Sequence, residues 1–267
     1  SKSIKSVSPA LIILLWVGAL AGTWMISGII PSMVYYGLKL LDPNIFLPAC
    51  LIICSIISLA TGSSWTTSAT VGIALVGIGK ALGIPAGMIG GAIISGAYFG
   101  DKLSPLSDTT NLAAAVTKVD LFKHIRYLTY TTVPSISIAL IVFIILGILQ
   151  TSDGVTDNSF LIDTISNTFN ISLILFIVPL IVIIMIVKKT PPIRALTIGT
   201  LSGALFAIIF QPQIIMELSN SSSMTIIGSY KVLVDTITSS VSIPTDSEVL
   251  NELFSTGGMI GMLNTIF

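Results

Sequence analysis

The run Gly100-Asp101-Lys102-Leu103-Ser104-Pro105-Leu106-Ser107-Asp108-Thr109-Thr110-Asn111 decides the fold. It interrupts an apolar stretch, Gly87 to Lys118, that is otherwise long enough to cross a ~30 Å hydrocarbon core as a helix. An intramembrane carboxylate costs ~2.5 to 3.5 kcal/mol on insertion scales, and this run holds two, Asp101 and Asp108, with Lys102 beside the first. Lipid cannot hydrogen-bond an unwound backbone, so such a break survives only where protein or water lines it. A broken transmembrane helix bordering a polar cavity is the expectation.

The segment before it repeats the pattern. Ile45 to Gly83 is too long for one crossing, and its middle carries Gly62-Ser63-Ser64-Trp65-Thr66-Thr67. Halves of about fifteen residues are short for full spans, which favours a re-entrant hairpin over two crossings. The rest of the chain agrees with a membrane setting. Of 267 residues, 53% are hydrophobic and 9% charged, against ~25% charged in a soluble domain, so a soluble globular fold is excluded. Twelve Lys and Arg balance twelve Asp and Glu, which leaves no basic field for nucleic acid. Cys50 and Cys54, one helical turn apart in an apolar segment, read as packing residues. The fold class is all-α, a polytopic helical membrane protein with a re-entrant hairpin and a broken helix.

Basic links orient it. Lys118, Lys123, His124 and Arg126 form one, and Lys188, Lys189 and Arg194 another; both are expected in the cytoplasm. The loop from Leu149 to Phe169 holds Asp153, Asp157 and Asp163 without Lys or Arg and suits the outside. Residues 1–8, with Lys2 and Lys5, read as a cytoplasmic flank. Residues 9–149 form the transmembrane ion-site region, beginning with one tilted or bent crossing from Pro9 to Leu41. Residues 150–210 hold the external loop and two plain spans, Phe169 to Val187 and Ile193 to Phe210. Residues 211–256 are expected to form an external polar loop, and 257–267 an apolar start that reaches only about halfway across a membrane.

The chemistry at the breaks is that of oxygen donors. Ser104, Ser107, Thr109, Thr110 and Asn111 surround the two carboxylates, and Ser63, Ser64, Thr66, Thr67, Ser68 and Thr70 fill the other break. Hard cations take oxygen ligands, and unwound carbonyls supply more, so Na+ or a proton competing for the same carboxylate suits the site. The expected Na+ ligands are Asp108, Ser104 and Thr109. Blander roles compete: Asp108 as the N-cap of a helix through Ala113 to Ala115, Asp101 and Lys102 as an ion pair at a helix end, Lys80 as a snorkelling residue. Trp65 at the tip is an interfacial anchor or a cavity plug, with the plug favoured. The small-residue faces Gly83-Gly87-Gly91-Ser95 and Gly199-Gly203-Ala207 are expected at helix contacts. Enzyme activity is disfavoured, because an aspartyl dyad needs carboxylates on separate helices and the lone His124 lies in a link.

At the two breaks the sequence resembles the NhaC-type sodium/proton antiporters of the ion-transporter superfamily. The stretches that carry the resemblance are Ala60 to Thr67, Gly100 to Asn111 and, more weakly, Gly257-Gly258-Met259. It implies part of an inverted-repeat carrier that exchanges Na+ for H+ across the plasma membrane by alternating access. The hairpin tip and the unwound loop would enclose the ion. Relatives include malate/lactate exchangers, so a coupled small organic solute is the alternative, and a non-transporting membrane scaffold is the alternative of another class. No cofactor is expected beyond the transported ions. Expected partners are the lipid bilayer, Na+ and H+, with a small organic anion and a second copy of the chain as further candidates. The resemblance matches the centre of the family's sequence, without both ends, so the chain alone is not expected to transport.

Overall fold

The computed structural model describes residues 2–40, 42–105, 107–149, 158–188, 190–221, 223–245 and 248–266, with the backbone alone at 2–10, 108, 158, 187, 248, 249, 252 and 264–266. Helix α1 (Lys2–Ile26) meets α2 (Ile29–Leu40) at a bend of 71°. Gly28 makes the turn at φ +80°, a left-handed backbone that costs glycine nothing. Helix α3 (Pro43–Thr61) starts on Asp42, whose side chain accepts the Asn44 N–H, and ends at Gly62, φ +69°, whose N–H returns to the Ser58 carbonyl. Extended Ser63 then caps α4 (Ser64–Thr67), which continues through a π-helical turn (Ser68–Gly72) into α5 (Ile73–Ala81).

Helix α6 (Ala86–Leu103) is followed by the second break and by α7 (Asp108–Val116), then by α8 (Leu121–Leu149). Beyond it come α9 (Asn158–Thr168), a 3-10 turn (Leu173–Phe176), α10 (Ile177–Val187), α11 (Pro192–Phe210), α12 (Pro212–Leu218) and α13 (Ile226–Thr238). A short ribbon pairs β1 (Val241–Ser242) antiparallel with β2 (Ser255–Thr256), enclosing α14 (Glu248–Leu253), and α15 (Gly258–Ile266) follows. Among the described residues three helices, α3, α8 and α11, are long and apolar enough to cross a membrane, and the bent pairs bring the total to five if each is one span.

The chain divides into two compact units, residues 1–36 with 157–186 and 190–267, and residues 37–156 with 187–189. In the second unit α3 and α6 run parallel in close contact. A methyl added at Gly96 would strike the Leu51 carbonyl, and one at Gly100 the Ser55 carbonyl and the Leu59 nitrogen. Gly79 of α5 lies against Phe46 near the start of α3, so the chain does reverse at Gly62-Ser63 as a hairpin. Its first arm has 19 residues, ~28 Å of helix, rather than about fifteen, so by length it suits a crossing. Helix α8 runs antiparallel to both neighbours, with Gly147 against Asn44 and Phe143 against Gly91.

Of the small-residue face expected at Gly83, Gly87, Gly91 and Ser95, Gly91 meets Phe143 of α8, but the face is not the contact with α3. Nothing would meet a methyl at Gly87 within 4 Å, and Gly83 serves a turn at φ +73°. Ala92, Ile93, Gly96, Ala97 and Gly100 are the buried positions instead, because the helix is rotated to lay the next small stripe on α3. The other face holds: Gly199 touches Leu20 and Val182, and Gly203 touches Thr23 and Trp24 of α1.

In the first unit, Trp24 Nε1 donates to the Gly199 carbonyl at 3.2 Å. Phe169 to Val187 is not one plain span: α9 bends by 86° into the following helix across Phe169 to Ser172. The buried side chain of Gln211 satisfies this break, accepting the Asn170 N–H at 3.0 Å and donating to the Asn170 carbonyl at 2.9 Å. It also donates to the Ser27 carbonyl at 3.4 Å, beside the bend of α1 and α2. Residues 211–256 are not a loop either, since α12 to α14 and the ribbon fill them. Val232 and Thr236 bury one face of α13, and Thr236 lies against Gly22 of α1. Of the acidic residues assigned to the outside, Asp153 and Asp157 lie outside the described residues.

Candidate ion-binding site

The two breaks meet. Ser64, first residue of α4, donates from Oγ to Asp101 Oδ2 on the last turn of α6 at 2.8 Å. Glycine makes this approach available: Gly100, the residue before the carboxylate, lets α6 press on the backbone of α3 just upstream of the tip. Ser58 reinforces it by donating across the contact to the Ala97 carbonyl at 2.5 Å. Asp101 is half-buried, and Ser64, Thr66, Thr67 and Thr70 are each at most 4% exposed.

Around the tip, hydroxyl protons are committed to nearby oxygens. Thr67 donates to the Ser63 carbonyl at 2.9 Å and Thr70 to the Thr66 carbonyl at 2.8 Å, while Ser63 and Thr66 share a bond of 2.9 Å. A hydroxyl whose proton is committed still offers lone pairs, so these side chains act toward a guest as acceptors. The π-helical turn adds to this, because it shifts the backbone ladder away from its regular i to i−4 partners, as π-bulges at functional sites do.

The α6–α7 break is held by its own residues. Thr110, 4% exposed, donates to the Lys102 carbonyl at 3.1 Å, which satisfies one of the end carbonyls of α6. Asn111 donates to the Pro105 carbonyl at 2.8 Å and the Ser107 carbonyl at 2.7 Å. Ser104 and Ser107 are fully buried. The cap of α7 is Ser107, which accepts the Thr110 N–H; Asp108 is the first helical residue, one place later than a cap. Its side chain, the central carboxylate of the sequence reading, lies outside the described residues.

The expected ion ligands therefore separate into groups. Asp101, Ser64, Ser63, Thr66 and Thr67 come together, and Ser104 and Thr110 are buried at the neighbouring break. Thr109 and Asn111 are exposed, with Thr109 bonded to Ser107 and Asn111 spent on backbone carbonyls. Trp65 is 54% exposed and lines an open groove of about 250 Å³ with Ser64, Ser68, Ile94 and Tyr98, so within this chain it plugs nothing. Residue reading passed over Ser58 and Thr61, whose signal was available: Ser55, Ser58 and Thr61 recur every three residues on one face of α3. Cys50 and Cys54 are free and buried on that helix.

No cluster of three His, Cys, Asp or Glu side chains exists among the described residues. The two breaks bring together a carboxylate, neutral oxygens and helix-end carbonyls, groups of the kind that hard cations take as ligands.

Known proteins point the same way. Residues 96–267 match the model of the Na+/H+ antiporter family. The chain is 42% identical over 259 residues to the malate-2H+/Na+-lactate antiporter of Bacillus subtilis, covering 96% of this chain and 52% of that one. It is 43% identical over 199 residues to the Na+/H+ antiporter NhaC of Alkalihalophilus pseudofirmus, covering 74% and 43%. It is 35% identical over 268 residues to the arginine/ornithine antiporter ArcD of Halobacterium salinarum, covering 98% and 52%. The chain spans about half the length of these relatives, and no solved structure matches it. With apolar helices, two interlocked helix breaks and a family match over most of its length, this membrane chain belongs to the Na+/H+ antiporter family.

Proposed function

We propose that the protein containing this chain is a secondary transporter of the plasma membrane, not an enzyme, that exchanges Na+ for H+ by alternating access. The observation that carries the reading is the Ser64–Asp101 bond, which joins the hairpin tip to the end of the broken helix around one carboxylate. A carboxylate there holds a proton or Na+, not both, so loading one ion expels the other. Helix directions support a cytoplasmic-side site: α6 ends level with Thr132 of α8, about eight residues beyond the basic link at Lys123 and His124. Asp108, one break-length further on, is the second candidate carboxylate, with Ser104, Thr109 and Thr110 as its oxygen neighbours in sequence.

The test uses the full-length protein in proteoliposomes with an imposed pH gradient and radioactive Na+. Asp101→Asn and Asp108→Asn are expected to abolish exchange while membrane insertion persists. Wild-type exchange in Asp101→Asn removes the reading. A second reading, Na+ and H+ coupled to an organic solute, is favoured by the 42% match over nearly the whole chain to a relative named for malate and lactate.

A further inference from the structure

Helix α8 is the span least covered by the rest of the chain: 11% of its most apolar stretch is buried, against 39% in α3 and in α11. Its inner side carries Phe143 and Gly147, which pack on Gly91 and Asn44. On the opposite side, at helical spacings of three and four, stand Lys123, Arg126, Tyr127 and Tyr130, all exposed. The same exposed stripe runs on through Pro134 and Ser137 to Ile141, Ile145 and Ile148. Its order is two cations, two phenols, then aliphatic side chains.

The two charges are not neutralised on the helix. No acidic residue occurs on α8, and among the described residues neither Lys123 nor Arg126 has an ion-pair partner. The preceding carboxylate, Asp120, is held at the helix start, where Oδ1 accepts the Lys123 N–H at 3.0 Å. The rings of Tyr127 and Tyr130 meet edge to face at 6.0 Å and form one shelf below the cations. At 1.5 Å per residue the stretch from Lys123 to Tyr130 covers ~10 Å, which spans a headgroup layer of ~5 to 7 Å, and the apolar remainder exceeds the ~15 Å of one leaflet's acyl layer.

From this arrangement we infer that the outer stripe of α8 seats an anionic phospholipid. Its phosphate lies on Lys123 and Arg126, its ester carbonyls accept from the Tyr127 and Tyr130 hydroxyls, and one acyl chain follows the isoleucines. Charge selects the lipid class: two unpaired cations one helical turn apart complement a net negative phosphodiester, whereas the ammonium of phosphatidylcholine cancels its own phosphate. The Arg126 fork takes phosphate oxygens in pairs, and Lys123 adds a point charge. This seat is independent of which ion the protein moves.

The test uses the full-length protein in phosphatidylcholine nanodiscs with trace photoactivatable phosphatidylglycerol, the cross-linked positions being mapped by peptide mass spectrometry. Labelling is expected to concentrate on residues 123–148, to saturate, and to be displaced by unlabelled phosphatidylglycerol. Apparent affinity should fall about fivefold in Lys123→Gln or Arg126→Gln and about thirtyfold in the double variant, with Lys123→Arg close to wild type. Removing the same charge elsewhere, by Lys188→Gln with Arg194→Gln, should leave it unchanged. Equal weakening by that control pair shows diffuse attraction rather than a seat and overturns the inference. Displacement by inorganic phosphate, which marks a free-anion site, does so too, as does an unlabelled α8, which shows that another part of the protein or a second copy covers the stripe.

Discussion

Ser64 at the tip of the α3–α5 hairpin and Asp101 at the end of α6 are 37 residues apart in sequence and share a hydrogen bond of 2.8 Å. On the proposed reading the bond would couple the tip to whatever occupies the carboxylate, because Ser64 is held only while Asp101 has a lone pair directed at it.

Removing that donor is expected to weaken cation retention. A hydrogen bond to a charged group is worth ~1.5 to 3 kcal/mol, and 1.4 kcal/mol is about tenfold in an equilibrium constant. In Ser64→Ala full-length protein the Na+ concentration for half-maximal exchange is expected to rise about tenfold, with Ser64→Thr close to wild type. Unchanged Na+ dependence in Ser64→Ala would show that the bond has no part in ion binding.

The glycines of α6 are expected to differ sharply. Gly96→Ala and Gly100→Ala force α6 off α3, since the added methyl meets backbone atoms that cannot rotate away. Each should cost ~1 to 3 kcal/mol and lower the thermal midpoint of the purified protein. Gly87→Ala, which meets nothing, should be neutral or raise stability by up to ~1 kcal/mol.

Gln211→Leu leaves the Asn170 N–H and carbonyl without their Gln211 partner at a part-buried bend. Each unsatisfied group costs ~1 to 3 kcal/mol, so amide hydrogen exchange around residues 169–172 is expected to quicken well before global unfolding. Gln211→Glu keeps the acceptor but loses the donors to the Asn170 and Ser27 carbonyls and should show an intermediate effect.

Thiol accessibility gives a direct check of the packing. Cys50 and Cys54 are fully buried and should resist a water-soluble maleimide until the protein unfolds. A cysteine placed at Thr109, which is exposed, should react within the folded protein. Fast labelling of Cys54 would contradict the α3–α6 contact.

Much of this was legible in residue order. The breaks at Gly62-Ser63 and at Ser104 to Ser107 fall where polar runs interrupt apolar ones, because an unwound backbone in lipid needs oxygen-rich sequence around it. What composition blurred was the boundary between polar loop and amphipathic helix: residues 226–238 mix polar and apolar side chains, and α13 buries only the Ser229, Val232 and Thr236 side. The expected glycine stripe failed for a related reason. Four-residue spacing occurs twice on α6, at Gly87-Gly91-Ser95 and at Gly96-Gly100, and periodicity says nothing about which stripe a neighbour occupies.

Apolar length, charge scarcity and the position of the polar interruptions determined the class of protein, its helices and where they break, since these depend on each segment's own transfer free energy. Tertiary packing alone decided which oxygen reaches which carboxylate. Ser64 meets Asp101, and Ser107 takes the cap that Asp108 also suited, because helix rotation and contact distance are set by side chains far apart in the chain.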